Sequence, residues 1–131
     1  IINKKKIPLH GGGKSVRNFI HIDDVSNALL IILEKGIPGE TCHIASNKMI
    51  SIKNIVNLIS KKLDTNLKNS SKNSKDRAGK DQLYFLNSSK LRNLGWKPHI
   101  DLNKGIDRVI RWIKINKKRL TKQKLYYEHK Q

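Results

Sequence analysis

The sequence predicts an α/β fold in which short strands are separated by amphipathic helices. Three observations carry that expectation. Apolar residues recur at helical spacing over 24–35, 52–63 and 102–113; short runs such as "VRNFIHI" alternate in a strand-like way; and glycine- or proline-bearing turns divide the two kinds of segment.

Taken in order, "IINKKKIPLH" reads as the end of a helix followed by a short strand, and "HGGGKSVRNF" opens with a glycine-rich turn that leads into the strand "VRNFIHI". Asp23 or Asp24 is placed to cap the next helix, because a carboxylate there accepts orphan backbone N–H groups. That helix, "DVSNALLIILEKG", is apolar almost all round and is expected to be buried on several sides, with Gly36 ending it. After the "GIPG" turn, "GETCHIAS" reads as a strand. Ser51 then caps a helix with Ile52, Ile55, Val56, Ile59 and Leu63 on its inner face. Residues 64–76 are polar and low in complexity and are expected to form a mobile loop. "DQLYFLN" is a further expected strand, and Ser88 or Ser89 starts a short helix ending at Gly95. "WKPHI" is extended, since the residue before Pro98 disfavours helix. The last helix lines up Leu102, Ile106, Val109, Ile110 and Ile113, and the chain from Lys114 is expected to fray into a basic tail.

At 131 residues the chain is about one domain and can bury a modest core. It opens on Ile1, an expectation that it is part of a longer protein. With 28 Lys and Arg against 10 Asp and Glu it carries a formal charge of +18, a balance that often marks nucleic-acid binding. The lysines are scattered, however, and only 5% of residues are aromatic, so the stacking rings expected of a single-strand binder are missing. A single cysteine, Cys42, excludes an internal disulfide and fits a reducing compartment. The longest apolar run, "ALLIIL", is too short to span a bilayer, and the chain reads as cytoplasmic and soluble.

The glycine turn invites three readings that the residues reject. A Walker A loop needs a glycine five positions before Gly13-Lys14-Ser15, and that position is Pro8, which also lacks an N–H donor. An esterase oxyanion loop needs a G-x-S-x-G elbow, which the chain does not contain. No glycines fall in the G-x-G-x-x-G spacing of a dinucleotide fingerprint. His10, His21, His43, His99 and His129 are dispersed without metal-ligand spacing. Tyr126 and Lys130 have Y-x-x-x-K spacing but stand in the basic tail with no nucleotide fold around them, and read as coincidence.

Four segments, "IPLHGGGKSVRNFIHIDDV", "GIPGETCHIAS", "DRAGKDQLYFLNSSKLRNLGWKP" and "GIDRVIRWIKIN", occur in that order. Together they resemble the C-terminal part of the NAD-dependent epimerase/dehydratase family. These are extended short-chain dehydrogenases acting on nucleotide sugars, and the nearest branch is the dTDP-glucose 4,6-dehydratases. The resemblance implies a small α/β substrate-binding lobe over residues 1–118, with 119–131 as a basic tail and the Rossmann domain missing from this chain. In such enzymes the glycine turn is a bend before the strand that carries a substrate arginine. Arg17 takes that arginine's place, and its forked guanidinium suits a diphosphate. Arg77 matches a second substrate arginine. Pro8 and His10 stand where the family has a proline and an aromatic lining the base. Ser51 lies about where an asparagine contacts phosphate, although helix capping accounts for it equally. Lys80 replaces a family histidine and keeps a donor near the diphosphate, while Ala78 replaces a proline. Cys42 and His43 replace a Tyr-Asn pair, and Tyr84 matches a family tyrosine.

The resemblance further implies that catalytic and NAD-binding residues lie upstream of this chain, so that it carries none and is inactive alone. The complete enzyme would bind a dTDP- or UDP-sugar and NAD, oxidise the sugar at C4, eliminate water across C5–C6 and reduce C6, and would be a homodimer. An epimerase or decarboxylase of the same family is the sister reading. A stand-alone basic RNA-binding module is the reading from another class.

Overall fold

The computed structural model describes residues 1–76 and 78–122. Strand β1 (Ile7–His10) leads through a turn at Gly11–Gly13 to β2 (Val16–Asn18) and then to helix α1 (Ile22–Lys35). Strand β3 (Met49–Ser51) runs directly into α2 (Ile52–Lys62), followed by the one-turn helix α3 (Leu67–Ser70) and strand β4 (Ser71–Ser74). Helices α4 (Ser89–Asn93), α5 (Leu102–Ile115) and α6 (Lys117–Leu120) complete the order. The strands form two separate pairs. β1 and β4 are parallel, with Ile7 opposite Ser71 and His10 opposite Ser74; β2 and β3 are antiparallel, with Val16 opposite Ser51.

Two apolar clusters hold these elements. Leu9 of β1, Ile55 and Val56 of α2 and Ile106 of α5 form the first, with Phe19, Ile59, Leu102 and Ile110 packed around them. Most of the expected inner faces of α2 and α5 therefore pack, while Leu63 and Ile113 lie outside the cluster and Val109 is 48% exposed. Ala28 of α1, Leu91 of α4 and Trp96 form the second cluster, with Ile31, Ile32 and Ile44 against it. Two ion pairs bind α5 to its neighbours, Lys62 to Asp107 at 2.7 Å and Arg108 to Asp23 at 3.1 Å. Exposed pairs of this kind contribute little next to the apolar contacts.

Several elements differ from the sequence expectation, each for a physical reason. His21, not Asp23 or Asp24, caps α1: its Nδ1 accepts the Asp23 N–H at 3.2 Å. Asp24 is instead buried inside the first turn, where its carboxylate accepts the backbone N–H groups of His99 and Ile100 at 2.9 and 3.0 Å. Only one side of α1 is covered; Leu29, Leu30 and Leu33 remain 56%, 58% and 83% exposed.

Residues 64–76 are not a featureless loop. Asn66 caps α3 through its side-chain oxygen, and the polar "SKNS" that follows becomes β4 because its backbone pairs with β1. A strand requires only a partner for its N–H and C=O groups, which apolar alternation does not report. Conversely, "GETCHIAS" begins in a turn at Gly39 and has no strand partner among the described residues. "DQLYFLN" is reduced to a single parallel bridge between Val16 and Leu83. The chain from Lys114 does not fray at once, since α5 continues to Ile115 and α6 follows. Residues 123–131, including Tyr126 and Lys130 and most of the expected tail, lie outside the described residues.

Candidate functional site

The glycine turn sits at the junction of β1, β2 and the segment 75–84. All three glycines have positive φ, at +59°, +68° and +70°, a conformation that excludes most side chains. Space adds a second requirement. A Cβ on Gly11 would run into the Asp76 carboxylate, and one on Gly13 would lie 2.9 Å from the backbone nitrogen of Lys53 in α2. The turn is therefore a close-packed bend. It is also a poor dinucleotide cradle, because a pyrophosphate approaching Gly11 meets a carboxylate already in place. Its glycines do not fit NAD, and among the described residues no group of three or more His, Cys, Asp and Glu comes together to hold a metal.

Arg17 follows the turn, in the middle of β2. Its Nη1 donates to the Val16 carbonyl at 2.7 Å and, at 3.5 Å, to the Gln82 carbonyl; its Nη2 donates to the Asp81 carbonyl at 2.7 Å. The guanidinium also lies 5.9 Å from the centre of the Tyr84 ring. A guanidinium carries five N–H donors, so these contacts leave donors over for an anion. Arg17 thus fastens the 81–84 segment to β2, on the side where Val16 donates to the Gln82 carbonyl at 2.8 Å.

Lys80 lies one residue before Asp81. Its ammonium donates to the Asp76 carboxylate at 2.7 Å and to the His10 carbonyl at 3.1 Å, with the side chain only 15% exposed. His10 in turn has its Nδ1 3.0 Å from the Lys75 carbonyl. Pro8 precedes His10 by two residues on the same face of β1, opposite Lys72. Ser51 stands opposite Val16 on β3, and its Oγ accepts the Asn54 N–H at 3.1 Å, capping α2.

The structure therefore brings Arg17, Lys80 and His10 onto one junction, with Pro8 and Ser51 at its flanks; Arg77 lies outside the described residues. Sequence reasoning missed Ser15, Asp76 and Gln82. Gln82 donates to the Asp76 carboxylate at 3.2 Å and accepts from the buried Ser15 hydroxyl at 3.4 Å. The one available signal was the four-residue spacing of Asp76 and Lys80, which usually pairs charges on a helix and not in a loop.

A broad concavity lies elsewhere. A groove of about 780 Å³ runs between the first residues of the chain, α2 and α5, lined by Phe19, Ile55, Ile59, Ile106 and Ile110. Of the expected site residues that are described, Pro8 alone borders it. Its apolar lining suits contact with apolar chain better than with a charged nucleotide.

Residues 1–109 match the family model described as GDP-mannose 4,6 dehydratase. The chain is 34% identical to the human dTDP-D-glucose 4,6-dehydratase, over 87% of this chain and 34% of that protein. It is 30% identical to the dTDP-glucose 4,6-dehydratase of Escherichia coli, over 86% of this chain and 34% of that one. Among solved structures, it superposes on the dTDP-glucose 4,6-dehydratase of Streptomyces venezuelae, which was solved with NAD bound. The TM-score there is 0.83 at 28% identity, covering 89% of this chain and 36% of that chain. The UDP-glucuronic acid 4-epimerase of Bacillus cereus, in complex with UDP-glucuronic acid and NAD, gives a TM-score of 0.78 at 25% identity, covering 87% and 37%. The chain thus spans about a third of the length of these relatives.

Proposed function

Because the chain belongs to the GDP-mannose 4,6 dehydratase family, we propose that it is the part of a nucleotide-sugar 4,6-dehydratase that holds the nucleotide diphosphate. The observation that carries the reading is the junction at Asp81. Arg17 from β2 donates to its carbonyl, and the Lys80 ammonium anchors the residue before it to the end of β1, so cations from two separate segments are fixed at adjoining residues of one stretch of chain. Paired cations of this kind recognise a diphosphate by charge-assisted hydrogen bonds and hold the attached sugar for chemistry elsewhere. His10, whose carbonyl accepts from the Lys80 ammonium, offers a flat ring for the base, and Pro8 lies on the same face of β1. Arg77 is part of this reading as a second guanidinium.

The site residues of this chain bind and orient; none of them moves a proton or hydride. In the complete enzyme NAD would supply the hydride chemistry, and no residue of this chain would hold it. We assign its binding to segments outside this chain. A homodimeric, cytoplasmic enzyme acting on a dTDP- or UDP-sugar completes the proposal, and Cys42 as the single cysteine supports a reducing setting. An epimerase or decarboxylase remains the second reading, because the likeness to the Bacillus cereus epimerase extends over the same elements.

Titration of the chain with dTDP and UDP, followed by amide NMR and thermal melting, tests the site. A ligand-dependent rise in melting temperature that Arg17→Ala abolishes supports it. Equal responses from both proteins would remove Arg17 from the site. Salt-sensitive RNA binding indifferent to dTDP would favour the RNA-binding module instead.

A further inference from the structure

Asp76 presents an electrostatic contradiction. By charge alone, a carboxylate paired with Lys80 opposes a diphosphate. Yet it is the point where the segments of the junction meet. One of its oxygens accepts from Lys80 at 2.7 Å and the other from Gln82 at 3.2 Å. Lys80 extends the link to the His10 carbonyl, and Gln82 extends it to the buried Ser15 hydroxyl. The carboxylate also fills the space left by the missing side chain of Gly11, whose φ of +59° is closed to most other residues. One side chain thus ties the 76–82 segment to the end of β1 and to the turn before β2.

We propose that Asp76 is a positioning residue of the diphosphate site: it seats the segment carrying Lys80 and Gln82 on the glycine turn and holds the Lys80 ammonium in place at the His10 carbonyl before any ligand arrives. A lysine on a flexible four-carbon stem is otherwise a mobile point charge, and ordering it in advance lowers the entropy lost on binding. The inference rests on the diphosphate reading of the site.

The experiment uses the whole chain, dTDP and UDP as probes, and amide hydrogen exchange without ligand. Asp76→Asn, although it removes a negative charge, is expected to weaken dTDP binding by about three- to tenfold through lost preorganisation. It should also speed exchange over residues 78–84 in the free protein. Gln82→Ala, which cuts the other arm of the carboxylate and leaves every charge in place, should act in the same direction. In a Lys80→Gln background Asp76→Asn should cost less than it does alone, since the part of its effect that runs through Lys80 is already gone while the Gln82 arm is not. Binding by Asp76→Asn that equals or exceeds the original, with unchanged exchange, overturns the proposal while the diphosphate reading stands. If the original chain binds neither dTDP nor UDP, the diphosphate reading falls and the positioning role falls with it.

Discussion

The indole N–H of Trp96 donates to the main-chain carbonyl of Asp24 at 3.1 Å, inside a cluster where Trp96 is fully buried. Three residues on, the chain returns to the same aspartate, whose carboxylate takes the N–H groups of His99 and Ile100. Backbone and side chain of one residue therefore hold the whole 96–100 link against the first turn of α1. This link sets where α5 begins, and α5 supplies Ile106 to the first cluster.

Removing that carboxylate should be costly. Asp24→Ala leaves the His99 and Ile100 N–H groups without their acceptor and is expected to lower stability by about 2–4 kcal/mol. Asp24→Asn keeps one acceptor oxygen and should lose roughly half as much. Urea unfolding read by the fluorescence of the buried Trp96 checks both; equal stability of the three proteins would refute the clamp.

Gly13 and Gly12 separate backbone strain from crowding. Both have positive φ, but a Cβ on Gly12 meets nothing within 4 Å, whereas one on Gly13 meets the Lys53 backbone at 2.9 Å. Gly12→Ala should cost about 1–2 kcal/mol, the ordinary left-handed penalty. Gly13→Ala should cost clearly more, as α2 must shift. Chemical denaturation of the pair measures the difference.

The start of α5 should respond to acid. The Lys104 N–H, together with the Asn103 N–H and the charges of Lys104 and Lys48, holds the Asp101 carboxyl below its ordinary value. A depressed carboxyl means that the folded state favours the charged form. Its contribution is present above the ordinary carboxylate pKa and is lost as the pH falls through the lower folded value. Amide shifts of Asn103 and Lys104 should titrate in that acidic window, and in Asp101→Asn they should stay flat there.

The outer side of α1 should limit solubility. Leu29, Leu30 and Leu33 make an apolar stripe in water, and such a stripe promotes association. Leu33→Lys, at a position 83% exposed, is expected to raise the concentration at which the chain stays monomeric and to change stability by no more than about 0.5 kcal/mol. Light scattering against concentration decides it.

The sequence by itself determined four of the helices and the kinship, while α3 and α6 fell in stretches expected to be loop and frayed tail. Apolar spacing together with Ser51, Gly36 and Gly95 marked α1, α2, α4 and α5, because capping and helical period are local properties carried by neighbouring residues. The order of four segments pointed to nucleotide-sugar enzymes for the same reason: each motif is local. Tertiary structure alone decided what depends on distant partners. β4 exists because β1 lies alongside a stretch, "SKNS", that has no strand signal of its own. "GETCHIAS" has that signal and no strand partner among the described residues. The roles of Asp24 and Asp76 were equally hidden, since a carboxylate's partners here lie as far as 76 residues away along the chain. Pattern reports which face of a segment is apolar; it does not report which N–H, C=O or ammonium arrives from elsewhere to complete it.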